Sequence, residues 1–169
     1  MSHDIGMLVI RSALGLMLIA HGANKVFGPG GLGGMTAWFA SLGLRPAWVH
    51  ARLAAATEIA AGVLLGLGLL TGLACTAYVG LMLVAALTDH RNKGFFVFKG
   101  GCEYVLLVGL VAVGVAGVGP GEWSLDHVLG LETTGSWWPV GALVVGAGAA
   151  LGLLATSYQP SKATESETG

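Results

Sequence analysis

The chain has 169 residues, 54% of them hydrophobic and 10% charged, with a formal net charge of −1 and a mean hydropathy of +0.77. Soluble domains carry about 25% charged residues, so this composition excludes a soluble globular protein. The near-neutral charge, without a polybasic run, gives no indication of a nucleic-acid partner.

A bilayer core takes about 20 apolar residues per helix, and five stretches meet that demand. The first runs from about Ile5 to Asn24. The preceding Met1-Ser2-His3-Asp4 lacks the positive region of a signal peptide, and no small-x-small cleavage site follows, so this stretch is expected to stay in the mature protein. A glycine-rich hinge, Gly28 to Gly34, comes next. Met35, Trp38, Phe39 and Leu42 then recur at i, i+3, i+4 and i+7, one apolar helical face too short to span. An interfacial amphipathic helix is expected there.

The second span covers about Ala51 to Leu70 and the third about Leu73 to His90, joined by Thr71-Gly72 as a tight hairpin. Phe95, Phe96 and Phe98 follow as aromatic interface anchors, as do Trp137-Trp138 before the last helix. The fourth span is about Gly101 to Val118 and the fifth about Pro139 to Tyr158. Residues 159–169 are polar and are expected to be a disordered tail. The expected fold is therefore an all-α membrane protein, a four-helix transmembrane bundle over residues 1–130 with a fifth transmembrane helix over 131–158.

Lys25, Arg45, Arg52, Arg91, Lys93, Lys99 and Lys162 fall on one side of this arrangement, while Asp4, Glu122, Asp126 and Glu132 fall on the other. The positive-inside rule then places the first and third loops and the C-terminus in the cytoplasm of a bacterial inner membrane, with the N-terminus outside. Gly62-x-x-x-Gly66 and Gly148-x-x-x-Gly152 permit close helix approach, within the chain or between subunits of a homo-oligomer. Gly15 to Ala20 echoes Gly80 to Ala85, and Thr57-Glu58 resembles Cys102-Glu103. This reads either as a parallel hairpin repeat, with Glu58 and Glu103 equivalent, or as coincidence in a Gly/Ala/Leu/Val-rich chain.

Charge inside hydrocarbon is costly and marks candidate functional positions. By depth, His21, Lys25, Glu58, Asp89, His90 and Glu103 can share one pocket in the cytoplasmic leaflet, where they would handle protons or bind a quinone head group or a small polar solute. The structural alternative is that Glu58 and Glu103 pair with His21 and Lys25 to fix helix register. Arg11, toward the other face, is expected to form a structural ion pair with Asp126. His21 and His90 lie at similar depth, as a bis-His haem would need, but no covalent attachment motif accompanies them and this is the weaker cofactor reading. Cys75 and Cys102, without a CxxC or a Cys/His set at zinc spacing, give no metal site. They lie toward opposite ends of their helices, too far apart for a disulfide, whose Cα atoms approach within about 7 Å.

Arg11-x3-Gly15 followed by His21-Gly22-x2-Lys25 resembles the first-helix signature of the DoxX family. Glu58-x3-Gly62-x2-Leu65-x2-Gly68, the intramembrane Glu103, and Gly119-Pro120-Gly121-x-Trp123-Ser124-Leu125-Asp126 continue the likeness in order, over residues 7 to 127. The position before Trp123 is often basic in that family and is Glu122 here, and the fifth helix lies beyond its usual four-helix core. The resemblance implies a subunit linked to a membrane thiosulfate:quinone oxidoreductase or, as in actinobacterial relatives, to an oxidoreductase complex with superoxide dismutase and a sulfurtransferase. The expected function is thus an accessory or anchor subunit with membrane or peripheral redox partners, more a non-catalytic part of an oxidoreductase system than an enzyme alone. A small proton-coupled transporter and a structural scaffold are the alternatives.

Overall fold

The computed structural model describes residues 1–131 and 135–160. The expectation of a disordered tail therefore lies mostly outside the described residues, as do Glu132 and Lys162 from the charge count. Among the described residues there are seven α-helices and one 3-10 turn: α1 (Ser2–Phe27), α2 (Gly31–Ser41), α3 (Ala47–Leu67), α4 (Thr71–Leu87), the turn Val97–Lys99, α5 (Glu103–Val118), α6 (Leu125–Val128) and α7 (Trp137–Ser157). The chain is an all-α membrane protein. Helices α1, α3 and α7 are long and apolar enough to cross a membrane, while α4 and α5 are shorter apolar helices of 17 and 16 residues.

Helix ends differ from the sequence expectation where capping chemistry decides them. The α3–α4 turn falls at Gly68 to Leu70 rather than Thr71-Gly72, because Gly68 takes the left-handed conformation (φ 64°) and closes α3 with its N–H on the Leu64 and Leu65 carbonyls. At its other end α3 starts at Ala47, a turn before the expected Ala51. Pro139 lies in the first turn of α7, where its missing N–H costs no helical hydrogen bond.

Glycines choose the neighbours. A Cβ on Gly15 would come within 2.6 Å of the Gly62 carbonyl, and one on Gly62 within 2.7 Å of the Gly15 carbonyl, so α1 and α3 touch backbone to backbone. Gly62 and Gly66 therefore serve an interface inside the chain. On the other side, a Cβ on Gly146 of α7 would lie 2.7 Å from the Thr76 carbonyl, and Gly80 faces the Gly146 carbonyl. Helix α7 thus packs on α4 and α5, and Trp138 covers Gly72. Among the described residues nothing lies within 4 Å of where a Cβ on Gly148 or Gly152 would sit. Gly15→Val is accordingly expected to lower stability by about 1–3 kcal/mol or more through overpacking, whereas Gly148→Ala should change it by less than about 0.5 kcal/mol. Unfolding midpoints in one detergent compare the two; equal effects would contradict the assignment of the α1–α3 contact.

The main core joins Met7, Leu14 and Leu18 of α1 to Leu65, Cys75, Tyr78, Val108, Ala112 and Val115. A second, smaller core forms at the end of the molecule that holds Lys25. There Phe39 of α2, Leu44 and Ala51 bury against Met35, Leu42, Leu153, Leu154 and Tyr158. The end of α7 is tied to the loop after α2: the Arg45 N–H donates to the Ser157 carbonyl at 2.8 Å, and the Gln159 N–H to the Gly43 carbonyl at 2.7 Å. The short helix α2 therefore seals this end, and Trp38 remains 40% exposed on its outer side.

Candidate functional site

Polar groups gather at two places in the bundle. The first is the end of α1 that carries Arg11. This guanidinium is fully buried, and its Nη2 donates to the Trp123 carbonyl at 2.7 Å and its Nη1 to the Leu65 carbonyl at 3.4 Å. A side chain at Gly68 would run into Arg11 Nη1 and into Ser124, so glycine is needed there for space as well as for its positive φ. Asp126, also fully buried, accepts from the Leu70 N–H at 2.7 Å and the Thr71 N–H at 2.9 Å, at the N-terminus of α4. Its own N–H donates to the Gly68 carbonyl at 2.8 Å.

The expected Arg11–Asp126 ion pair is thus replaced by a shared scaffold. Arg11 binds carbonyls on either side, in the last turn of α3 and at Trp123, while Asp126 binds the amides that open α4, and Asp126 acts on Arg11 electrostatically without a direct bridge. The segment from Gly119 to Asp126 wraps α1 further: the Asp4 carboxylate accepts from the Glu122 N–H at 3.1 Å, and Ser124 caps α6 through the His127 N–H. These contacts use carbonyls and amides that the chain itself presents. This end is built to hold helices together.

The second place is a cavity of about 370 Å³ between α2, α3, α4 and α7. Its walls are apolar, from Phe39, Leu53, Ala77, Leu81, Ala150 and Leu153 among others. Lys25, His50, Thr57, Glu58 and Asp89 also line it. Lys25 Nζ stands 2.8 Å from Glu58 Oε1 and 2.7 Å from Oε2, with only 13% and 10% of the two side chains exposed. Because α3 begins at Ala47, Glu58 lies roughly 16 Å along it, near the midpoint of the helix rather than close to its end. Gly22 permits this approach, since a Cβ there would press on Ile59, the Ala55 carbonyl and the Glu58 side chain.

The six residues expected to share one pocket separate into three settings. Lys25, Glu58 and Asp89 line the cavity; Asp89 is also 3.0 Å from Lys93 Nζ and 3.9 Å from His90 Nε2. His90 and Glu103 instead pin the loop between α4 and α5. His90 Nδ1 meets the Gly100 carbonyl at 2.6 Å, and Glu103 accepts from the Val97 N–H at 2.9 Å. His21 is exposed on the outside of α1. It lies about 100° around the helix from Gly22, which faces α3, and depth alone does not reveal that rotation. Neither histidine of the bis-His haem reading lines the cavity.

Two buried polar residues had no signal in the sequence. His50 looks like one more loop-proximal histidine, yet it is 8% exposed, faces the cavity and lies 3.3 Å from the Arg45 carbonyl. Tyr78 reads as an ordinary apolar-helix aromatic, but its hydroxyl is enclosed in the core with no protein hydrogen-bond partner. The nearby Tyr104 hydroxyl meets the Met17 sulfur. Among the described residues no group of three His, Cys, Asp or Glu side chains is placed to hold a metal ion. Chemically the cavity offers one buried ion pair at the edge of a large apolar volume, which suits an amphipathic molecule better than a small hydrophilic one.

A family model, DoxX, matches residues 6–91. The chain belongs to the DoxX family. The matched stretch holds α1 to α4 and, with them, Arg11, Lys25, Glu58 and Asp89, so the cavity's charged residues lie within the family region while α7, which supplies one wall, lies beyond it. Two relatives are similar to this DoxX protein along most of their length. "Uncharacterized membrane protein Rv3486" of Mycobacterium tuberculosis is 30% identical over 139 residues, 75% of this chain and 83% of that protein. "Putative oxidoreductase CatD" of Bacillus subtilis is 30% identical over 116 residues, 69% of this chain and 82% of that protein. No solved structure matches.

Proposed function

We propose that this DoxX protein is an accessory membrane subunit of a redox or oxidative-stress system and holds a quinone-type ligand at the Lys25–Glu58 pair. The observation that carries this reading is the ion pair itself, between Glu58 at the middle of α3 and Lys25 in the last turn of α1, where it faces an apolar cavity. A buried pair whose only role is structural contributes little net stability, because desolvation offsets most of the attraction. A pair that presents an ammonium and a carboxylate to a ligand carbonyl or hydroxyl has a reason to be retained. The oxidoreductase named among the relatives supports the redox setting.

In this reading the cavity lies toward the cytoplasmic side of a bacterial inner membrane, where Arg45, Arg52, Arg91, Lys93 and Lys99 cluster, and partner enzymes dock there. The transporter alternative draws on the possible hairpin repeat, with Glu58 and Glu103 equivalent, and on the depth of Glu58. The partners of the two acids differ, Lys25 in one case and a loop amide in the other, which weakens the first of these grounds. The scaffold alternative is separated from the ligand reading by Glu58→Gln. That variant keeps shape and removes charge, so it should weaken binding of a decyl-tailed benzoquinone by about tenfold or more, the loss of one charge-assisted hydrogen bond. Equilibrium binding to the full chain in nanodiscs, corrected for empty discs, measures this. Unchanged binding would sink the ligand reading.

A further inference from the structure

The cavity does not end at the ion pair. A second apolar groove of about 320 Å³ runs between α3 and α4, lined by Ala56, Ala60, Ala61, Leu64 and Ala74, and it shares Thr57, Leu73 and Ala77 with the first. The two therefore adjoin along these three residues. The groove's origin is a divergence of contacts. Glycines draw α3 onto α1 through Gly15 and Gly22, and draw α4 onto α7 through Gly80 and Gly146. The facing sides of α3 and α4 carry mostly alanine, too small to fill what opens between them. Ala56 and Ala60 are exposed at the rim, on a molecule whose flanks face lipid. The groove extends from Ala56 to Leu64 along α3, roughly 12 Å.

We infer that the ligand is a single-tailed amphiphile that enters sideways from the bilayer, its head at Lys25 and Glu58 and its tail in the Ala56–Ala60–Ala74 groove between α3 and α4. This rests on the ligand-binding reading of the Lys25–Glu58 cavity and adds the tail and the route. Three features point to that occupant. The Glu58 side chain, nine-tenths buried, faces the cavity that adjoins the groove. The groove itself offers no charged side chain, so it recognises hydrocarbon alone. At the Lys25 end α2 and the Gly43–Gln159 and Arg45–Ser157 hydrogen bonds close over the cavity, while Leu53, Leu73 and Ala149 on its flanks are exposed, so it is reached from the side that faces lipid. A tail lying in the groove gains about 0.8 kcal/mol per methylene only relative to water. Relative to lipid the gain is fit, so the groove selects tail shape while the ion pair selects the head.

The test uses the full chain in nanodiscs and two probes, a decyl-tailed benzoquinone and the same benzoquinone without a tail. Ala60 lines the groove and not the head cavity. Ala60→Trp should weaken the tailed probe by about tenfold, because the indole overpacks the space in which the tail lies, and leave the tailless probe within about twofold. Ala56→Leu, one turn away, should act in the same direction, and retained tailless binding reports that either variant is folded. Equal loss of both probes in both variants, or no loss of either, would overturn the groove assignment even while Glu58→Gln still weakened both. If neither probe binds the parent chain, the groove assignment and the head-site reading fall together.

Discussion

Asp126→Ala is expected to destabilise this DoxX protein by about 3–5 kcal/mol, the cost of breaking a buried charge arrangement by removing one member. The variant would leave the Leu70 and Thr71 amides without acceptors and remove the negative charge that acts on the fully buried Arg11. Hydrogen bonds to charged groups contribute about 1.5–3 kcal/mol each, so the loss of two agrees with the larger estimate. Asp126→Asn keeps one acceptor oxygen and should retain part of the stability. Glu122→Gln, an exposed change one turn earlier, should lie within about 0.5 kcal/mol of the parent. Thermal unfolding in detergent orders the three. Equal midpoints for Asp126→Ala and Glu122→Gln would show that the Gly119–Asp126 segment does not clamp α1 and the α3–α4 turn.

The second large effect concerns Lys25 and Glu58, and it takes the form of a cycle. Lys25→Met alone should cost about 3 kcal/mol, because it leaves the Glu58 carboxylate buried without its partner, and Glu58→Leu alone should cost a similar amount. The double variant removes both charges together and should return to within about 1 kcal/mol of the parent, since an apolar pair of similar volume replaces a buried ion pair at little net cost. Losses that simply add would show that the two side chains are not coupled, against their 2.7 Å separation. The double variant also divides structure from function. A folded protein that no longer binds the benzoquinone probes places the role of the pair in recognition. One that binds them unchanged places it elsewhere.

The contrast between the two polar regions follows from what their atoms face. At the Arg11 end the two terminal guanidinium nitrogens and both Asp126 carboxylate oxygens are directed at the protein's own backbone, at Leu65, Leu70, Thr71 and Trp123. At the Lys25 end the charged pair faces space. That difference makes the first region a clamp and the second a candidate binding site, although both are buried charge in a membrane protein and look alike by composition.

Much of this was legible in the sequence because hydrophobicity and charge act locally. Apolar runs of spanning length in so weakly charged a chain require membrane helices, and the expense of charge in hydrocarbon singled out Arg11, Lys25 and Glu58 whatever their neighbours. The period of Met35, Trp38, Phe39 and Leu42 likewise signalled α2, although the helix begins at Gly31, inside the expected hinge, and ends at Ser41. Convergence was not legible. Depth along a helix is a sum over residues, but the direction of a side chain depends on how each helix is rotated, and glycine contacts between distant segments set that rotation. Gly22 against Glu58 brought Lys25 inward and left His21 outside. Gly146 against Thr76 brought α7 in as a cavity wall. The sequence alone thus determined that this chain is a membrane helix bundle with charge inside it. Only the tertiary structure decided which charges meet and which face a cavity, because helix pairing depends on close backbone contacts that no local pattern encodes.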